Sequence, residues 1–208
     1  VDDHPIFRQG LAQVINLEPD LQVCGEAEKP SQTIEAILAT KPDVVLVDVS
    51  LSEGDGIELV KNLKARFPDL PTLLLSMHDE SLYAERGLQA GARGYLAKKE
   101  PSDVVLGAIR RVLAGEIHVS DPVSRRILER SVKGRKVPPA SPVERLSDRE
   151  IQVFRLIGEG NPTGRIARQL NLSVSTIESY RALIKRKLGL RNAVELVRHA
   201  VQWVENEG

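Results

Sequence analysis

Short apolar runs alternate with helix-patterned stretches through the first half of this chain, and that alternation limits its fold more than any other feature. The runs lie at residues 21–27 (LQVCGEA), 43–48 (DVVLVD), 71–77 (PTLLLSM) and 93–97 (RGYLA). Around them, residues 5–17, 31–40, 55–67, 81–91 and 101–115 carry apolar side chains three and four apart, the period of a helix with one buried face. Val44 to Val47 are apolar without a break, as in a parallel strand covered on both sides. Right-handed crossovers turn such a string into an α/β doubly wound sheet. The sequence opens at Val1-Asp2-Asp3, with almost none of the strand that should lead into these aspartates; either residues preceding Val1 supply that strand, or the sheet is expected to be weak on that side.

After about residue 118 the pattern changes. One more helix is expected at 122–132, followed by a basic, proline-rich stretch, KGRKVPPASPVERL, made semi-rigid by Pro138, Pro139 and Pro142. Beyond Leu146 only helices are read. Ser147 and Glu150 form a capping-box signature, Asn161-Pro162 is expected to cap and open the next helix, and helices over 173–188 and 192–205 complete the domain. The expected organisation is therefore 1–118, a linker at 119–142, and an all-α domain at 143–208. Charge divides along the same line. The formal net charge is zero, yet residues 1–118 hold 12 Lys and Arg against 19 Asp and Glu, and residues 119–208 hold 17 against 10. A basic second half suits a polyanion such as DNA.

No apolar run approaches the roughly 18 residues of a membrane span. No secretory signal pattern is read and a single cysteine excludes an internal disulfide, so no membrane association and a cytoplasmic location are expected. Cys24 is expected as a buried strand thiol. His4, His78, His118 and His199 lack metal-ligand spacing and are expected in loops or on the surface; Trp203 is expected in a core or an interface.

In a doubly wound sheet ligands bind at the carboxyl ends of the strands. Asp2 and Asp3 would close the first strand, Asp48 the third and Ser76 the fourth, with Lys98 just after the fifth. Three converging carboxylates call for a hard divalent cation such as Mg2+. A carboxylate beside that ion can attack phosphorus, with Lys98 offsetting the developing charge and the Ser76 hydroxyl donating to the phosphoryl group. Any one of these residues alone is ordinarily a solvated loop residue; five at one edge are harder to dismiss.

Asp2-Asp3, Asp48 with Asp55-Gly56 after it, LSMHDE with Ser76, and GYLAKKE with Tyr95 and Lys98 together resemble the receiver domain of two-component response regulators, across nearly all of residues 1–118. The resemblance implies a flavodoxin-like fold and Asp48 as phosphoacceptor. It further implies Asp2, Asp3, Asp48 and the Ser50 carbonyl as Mg2+ ligands, with Ser76, Tyr95 and Lys98 as the switch residues. The family usually has proline where this chain has Ser52, so a more mobile loop is expected there.

RIARQLNLSVSTIESYRALIKRKLGL reads as helix, turn, helix, with Asn171-Leu172 in the turn and Ser173 as a cap. Ile177, Ile184 and Leu188 share one face of the second helix; Ser175, Glu178, Ser179, Ala182 and Arg186 lie toward the other. Arg165, Arg168, Lys185, Arg186 and Lys187 are candidates for phosphates, and Arg181 for either role. By pattern alone such a pair of helices is more often a packing unit than a DNA reader. Residues 143–203, however, resemble the LuxR-type helix-turn-helix. That resemblance implies that Glu178, Ser179 and Ala182 face bases and that the last helix makes a dimer contact, through Val194, Val197 and Val201; with the exposed face and basic end of the helix, the expected DNA contacts are Ser175, Thr176, Glu178, Ser179, Arg181, Ala182, Lys185 and Arg186. Glu178 stands where many relatives have lysine; it would repel phosphate but can accept from a cytosine amino group.

The two resemblances occur in the order of the NarL/FixJ subgroup of response regulators. They imply a DNA-binding transcriptional regulator and not a conventional enzyme, phosphorylated by a histidine kinase, acting on promoter DNA, and a homodimer when active. Two other readings remain open at this stage. One is a hydrolase on the same sheet; the other is a phosphorylation-independent DNA-binding protein whose first half serves dimerisation.

Overall fold

The structure, a computed structural model, describes residues 1–77, 80–133 and 142–207, and the chain divides into two compact units, Val1–Gly134 and Arg135–Gly208. His78, Asp79 and the basic, proline-bearing residues 134–141 lie outside the described residues.

In the first unit, β1 (Val45–Asp48), β2 (Thr72–Ser76) and β3 (Gly94–Ala97) form a parallel sheet in the order β1-β2-β3. The register pairs Asp48 with Leu75, Leu74 with Tyr95 and Ser76 with Ala97. The helices are α1 (Pro5–Asn16), α2 (Pro30–Thr40), α3 (Gly56–Arg66), α4 (Glu80–Ala90), α5 (Ser102–Leu113) and α6 (Asp121–Lys133). Strand residues alternate between two helical layers because successive side chains leave a strand on opposite sides. Leu73, Leu75 and Leu96 pack with Ile15 of α1 and with Val105, Ile109 and Val112 of α5. Leu74 faces the other way, against α4 at Gly87. Each such Leu or Ile, removed from water, contributes about 2 kcal/mol before the entropy of ordering is counted.

The sequence expectation fails at 21–27, which contains no strand. A strand exists only through its ladder, and among the described residues one backbone hydrogen bond, from Asp2 N–H to the Ala27 carbonyl (3.1 Å), joins this segment to the chain beside the sheet. Cys24, expected to be buried there, is exposed as a consequence. Residues near 118 add to the opposite edge. His118 bridges Gly94 in parallel, Tyr95 N–H donates to the His118 carbonyl (2.9 Å), and the Glu80 carboxylate accepts from Ser120 N–H (2.7 Å) where α6 begins. His118 is therefore a half-buried sheet neighbour, whose imidazole burial pushes below its ordinary pKa.

The second unit is helical: a short 3-10 turn (Pro142–Arg145), then α7 (Asp148–Gly158), α8 (Thr163–Gln169), α9 (Val174–Leu188) and α10 (Ala193–Glu207). Ser147 and Glu150 close the expected capping box on α7. Asn161 does not cap α8, because its side-chain amide donates to the Leu156 carbonyl (3.1 Å). Pro162, held extended at φ −70°, precedes the helix and its carbonyl accepts the first turn's N–H groups. Asn171 turns the chain between α8 and α9 at φ 52°, a left-handed conformation that asparagine tolerates better than most residues. Gly158 lets α7 cross α10 closely, since a Cβ there would stand 2.4 Å from the Ala200 carbonyl oxygen. Phe154 and Trp203 meet at the same crossing, with ring centroids 5.5 Å apart. Among the described residues no helix is long and apolar enough to cross a membrane.

Candidate functional site

Backbone bonding brings the acidic groups of the first unit together. Val1 N–H donates to the Leu46 carbonyl (2.7 Å) and Asp48 N–H to the Val1 carbonyl (2.9 Å), which sets Asp2 and Asp3 beside the end of β1. Asp48 is 1% exposed. Its Oδ1 accepts from Ser50 N–H (3.0 Å) and its Oδ2 from Lys98 Nζ (2.8 Å). The same ammonium lies 2.6 Å from Asp2 Oδ2 and 4.5 Å from the centre of the Phe7 ring. Burial pushes the Asp48 carboxyl above its ordinary pKa and outweighs the opposing pull of Lys98 and Ser50 N–H; the charge of Asp2 pushes the same way as burial.

The loop after Asp48 can turn back over this site because residue 56 has no side chain. A Cβ on Gly56 would stand 2.1 Å from the Asp48 carbonyl oxygen. Asp55 then caps α3, accepting from Ile57 N–H (2.8 Å) and Glu58 N–H (3.2 Å). Ser52 contributes its backbone: Ser52 N–H donates to Asp3 Oδ2 (2.9 Å), a bond that proline at this position would lack. Ser76, at the end of β2, is fully buried, and its carbonyl accepts from Lys98 N–H (2.7 Å), tying the ends of β2 and β3. Tyr95 is buried in β3.

Ligand atoms of Asp2, Asp3, His4 and Asp48 all lie within 4.8 Å of one another. Asp3 Oδ1 is buried without a hydrogen bond, 3.0 Å from His4 Nδ1. Three carboxylates and one ammonium leave two net negative charges in a mostly buried space. That donor set and that charge fit a hard divalent cation with oxygen ligands. His4 is exposed and lies outside any helix or strand, as expected, but it also borders this cluster, which its place directly after Asp2-Asp3 could have signalled.

In the second unit, buried Ile177 and Ile184 seat α9 on its neighbours, and Ser175, Glu178, Ser179, Ala182 and Arg186 are exposed on the other side. Thr176 is turned into the cap, with its Oγ1 2.7 Å from Ser173 Oγ. Arg181 is largely covered, its side chain 16% exposed and its Nε 3.6 Å from Glu178 Oε2. Glu178 Oε1 accepts from Thr163 Oγ1 (3.0 Å), a contact across 15 residues that no local pattern announces. Lys185 is half-buried. Lys187, which the sequence offered to phosphate, is paired with buried Glu150 at 2.5 Å. On α10, Val194 is 77% and Val197 41% exposed, Val201 is half-buried, and Leu196 and Ala200 face the core.

Comparison with known proteins gives two family matches, the response regulator receiver domain over residues 1–110 and the luxR family of bacterial regulatory proteins over 144–200. The oxygen regulatory protein NreC of Staphylococcus aureus is 32% identical over 205 residues, covering 97% of this chain and 94% of that protein. The RcsB response regulator of Salmonella typhimurium superposes with a TM-score of 0.71 at 28% identity, covering 97% and 94% of the two chains. RcsB bound to the rprA promoter in the presence of the phosphomimetic BeF3- superposes with a TM-score of 0.66 at 28% identity over 96% and 95%.

Proposed function

Because the chain belongs to the response regulators that join a receiver domain to a LuxR-type DNA-binding domain, and so is a transcriptional regulator switched by phosphorylation, we propose that Asp48 is its phosphoacceptor. The observation that carries this reading is a buried carboxylate at a strand end, held on one oxygen by Lys98 and flanked by Asp2 and Asp3.

A histidine kinase is the phosphoryl donor in this reading. An Asp48 oxygen forms the new O–P bond as the donor's P–N bond breaks, and the imidazole nitrogen keeps the electron pair. Lys98 balances charge on the carboxylate and then on the phosphoryl oxygens. Asp2, Asp3, Asp48 and the Ser50 carbonyl would hold Mg2+, which when bound offsets charge on those oxygens. Phosphorylation adds about −1.5 to −2 charges at Asp48. Ser76 and Tyr95 answer it, and the movement passes to α4. The regulated partner is promoter DNA, read by α9, and the active form is a homodimer joined partly through Val194, Val197 and Val201.

The test is DNA binding by the full chain with and without beryllofluoride and Mg2+, at fixed salt, alongside Asp48→Asn. Tighter binding, by about tenfold or more, is expected in treated wild type and not in the variant. Equal binding by both proteins under all conditions would replace this reading with phosphorylation-independent DNA binding.

A further inference from the structure

We infer that Glu178 is a specificity-determining residue of α9, held by Thr163 and Arg181 to accept a hydrogen bond from a cytosine amino group in the major groove. The inference rests on the DNA-binding reading of the second domain and adds to it which base is read and what holds the reader in place.

An acidic side chain is out of keeping with its surroundings. Glu178 is the only carboxylate on α9, a helix that also carries Arg181, Lys185, Arg186 and Lys187. Its side chain is 58% exposed, on the same side as Ser175, Ser179 and Ala182. A free carboxylate there would only repel phosphates. This one is restrained from two directions: Thr163 Oγ1 donates to Oε1 at 3.0 Å from the first residue of α8, and Arg181 Nε stands 3.6 Å from Oε2. Arg181 offsets the charge locally, which weakens repulsion from the DNA backbone. Restraint also lowers the side-chain entropy that binding would otherwise remove.

The chemistry then selects the base. An ionised carboxylate only accepts, and Thr163 occupies one of its roughly four acceptor positions. In the major groove, guanine presents two acceptors and thymine an acceptor and a methyl group, so both set lone pair against lone pair. Adenine offers an amino group beside an acceptor nitrogen, which opposes the second oxygen. Cytosine presents its amino donor alone. Ser179 beside it and Ala182 on the next turn are too short to override that choice.

The experiment is binding-site selection from a randomised duplex library by the full-length protein with beryllofluoride, using wild type, Glu178→Gln and Thr163→Val. Wild type is expected to select cytosine at one position of each half-site. Glu178→Gln, which can donate and accept, is expected to shift that position toward adenine and to lose roughly tenfold of the discrimination against other bases. Thr163→Val, which keeps the reader and removes one of its two restraints, is expected to keep cytosine with severalfold weaker discrimination. Unchanged base preference in both variants, with normal binding, would overturn the inference and leave Glu178 as a tie between α8 and α9. A wild type that binds no duplex at all would overturn the DNA-binding reading, and this inference with it.

Discussion

At the scale of single residues, the receiver site holds more negative charge than its buried surroundings favour. Asp48 has its pKa raised mainly by burial, so the folded state takes up a proton there more readily than the unfolded chain does. Its ionised form therefore opposes folding at neutral pH, and the opposition fades as pH falls through the folded pKa toward the ordinary value of 3.8. Without metal, Asp48→Asn is expected to raise the urea midpoint of the first domain at pH 7, by an amount that shrinks as pH approaches that value. A lower midpoint at pH 7 would mean that the Asp48–Lys98 pair contributes more than burial costs. Lys98 illustrates how a single side chain can serve several neighbours, since it contacts Asp48, Asp2 and the Phe7 ring at once.

At the scale of elements, α9 is held in place by a contact that begins as a helix cap. Glu150 closes the capping box of α7 through Ser147 and pairs with Lys187 near the end of α9. Burial alone would raise the Glu150 pKa, but the Lys187 hydrogen bond and the Ser147 N–H together hold it below the ordinary 4.5. A carboxyl with a depressed folded pKa stabilises fully above its unfolded value and loses that contribution as pH falls through the folded one. Glu150→Ala is expected to cost about 2 kcal/mol at pH 7, because it removes a cap and strands Lys187. The difference from wild type should narrow below pH 4.5. Trp203, the only tryptophan, packs against Phe154 in this domain with its ring tilted 43° to that of Phe154, so its fluorescence during urea unfolding reports the change.

At the scale of the whole molecule, the acidic first half and basic second half predict a salt-sensitive DNA interaction confined to one domain. Arg186 is exposed and free of the Glu150 contact that occupies Lys187. Arg186→Ala is therefore expected to reduce the slope of log affinity against log salt by about 0.9, measured by fluorescence anisotropy across a salt series. Lys187→Ala should instead show its main effect in the Trp203 unfolding curve. Equal loss of slope in both variants would mean that Lys187 leaves Glu150 to bind phosphate.

What the sequence determined by itself was whatever local spacing encodes. The βα alternation, the capping box at Ser147 and Glu150, the turn at Asn171 and the buried face of α9 are all readable because each depends on residues a few positions apart. Alignment of Asp48, Ser76 and Lys98 at strand ends was also readable, since strand direction places them before any packing is known. Tertiary structure decided the rest. Residues 21–27 have strand composition, yet a strand is a property of its neighbour as much as of itself. The Ser52 N–H on Asp3, Lys98 shared between Asp2 and Asp48, Lys187 on Glu150 and Thr163 on Glu178 join residues 15 to 96 positions apart. Such pairs exist only once the hydrophobic layers have set the distances between elements, and no periodicity in the chain carries that information.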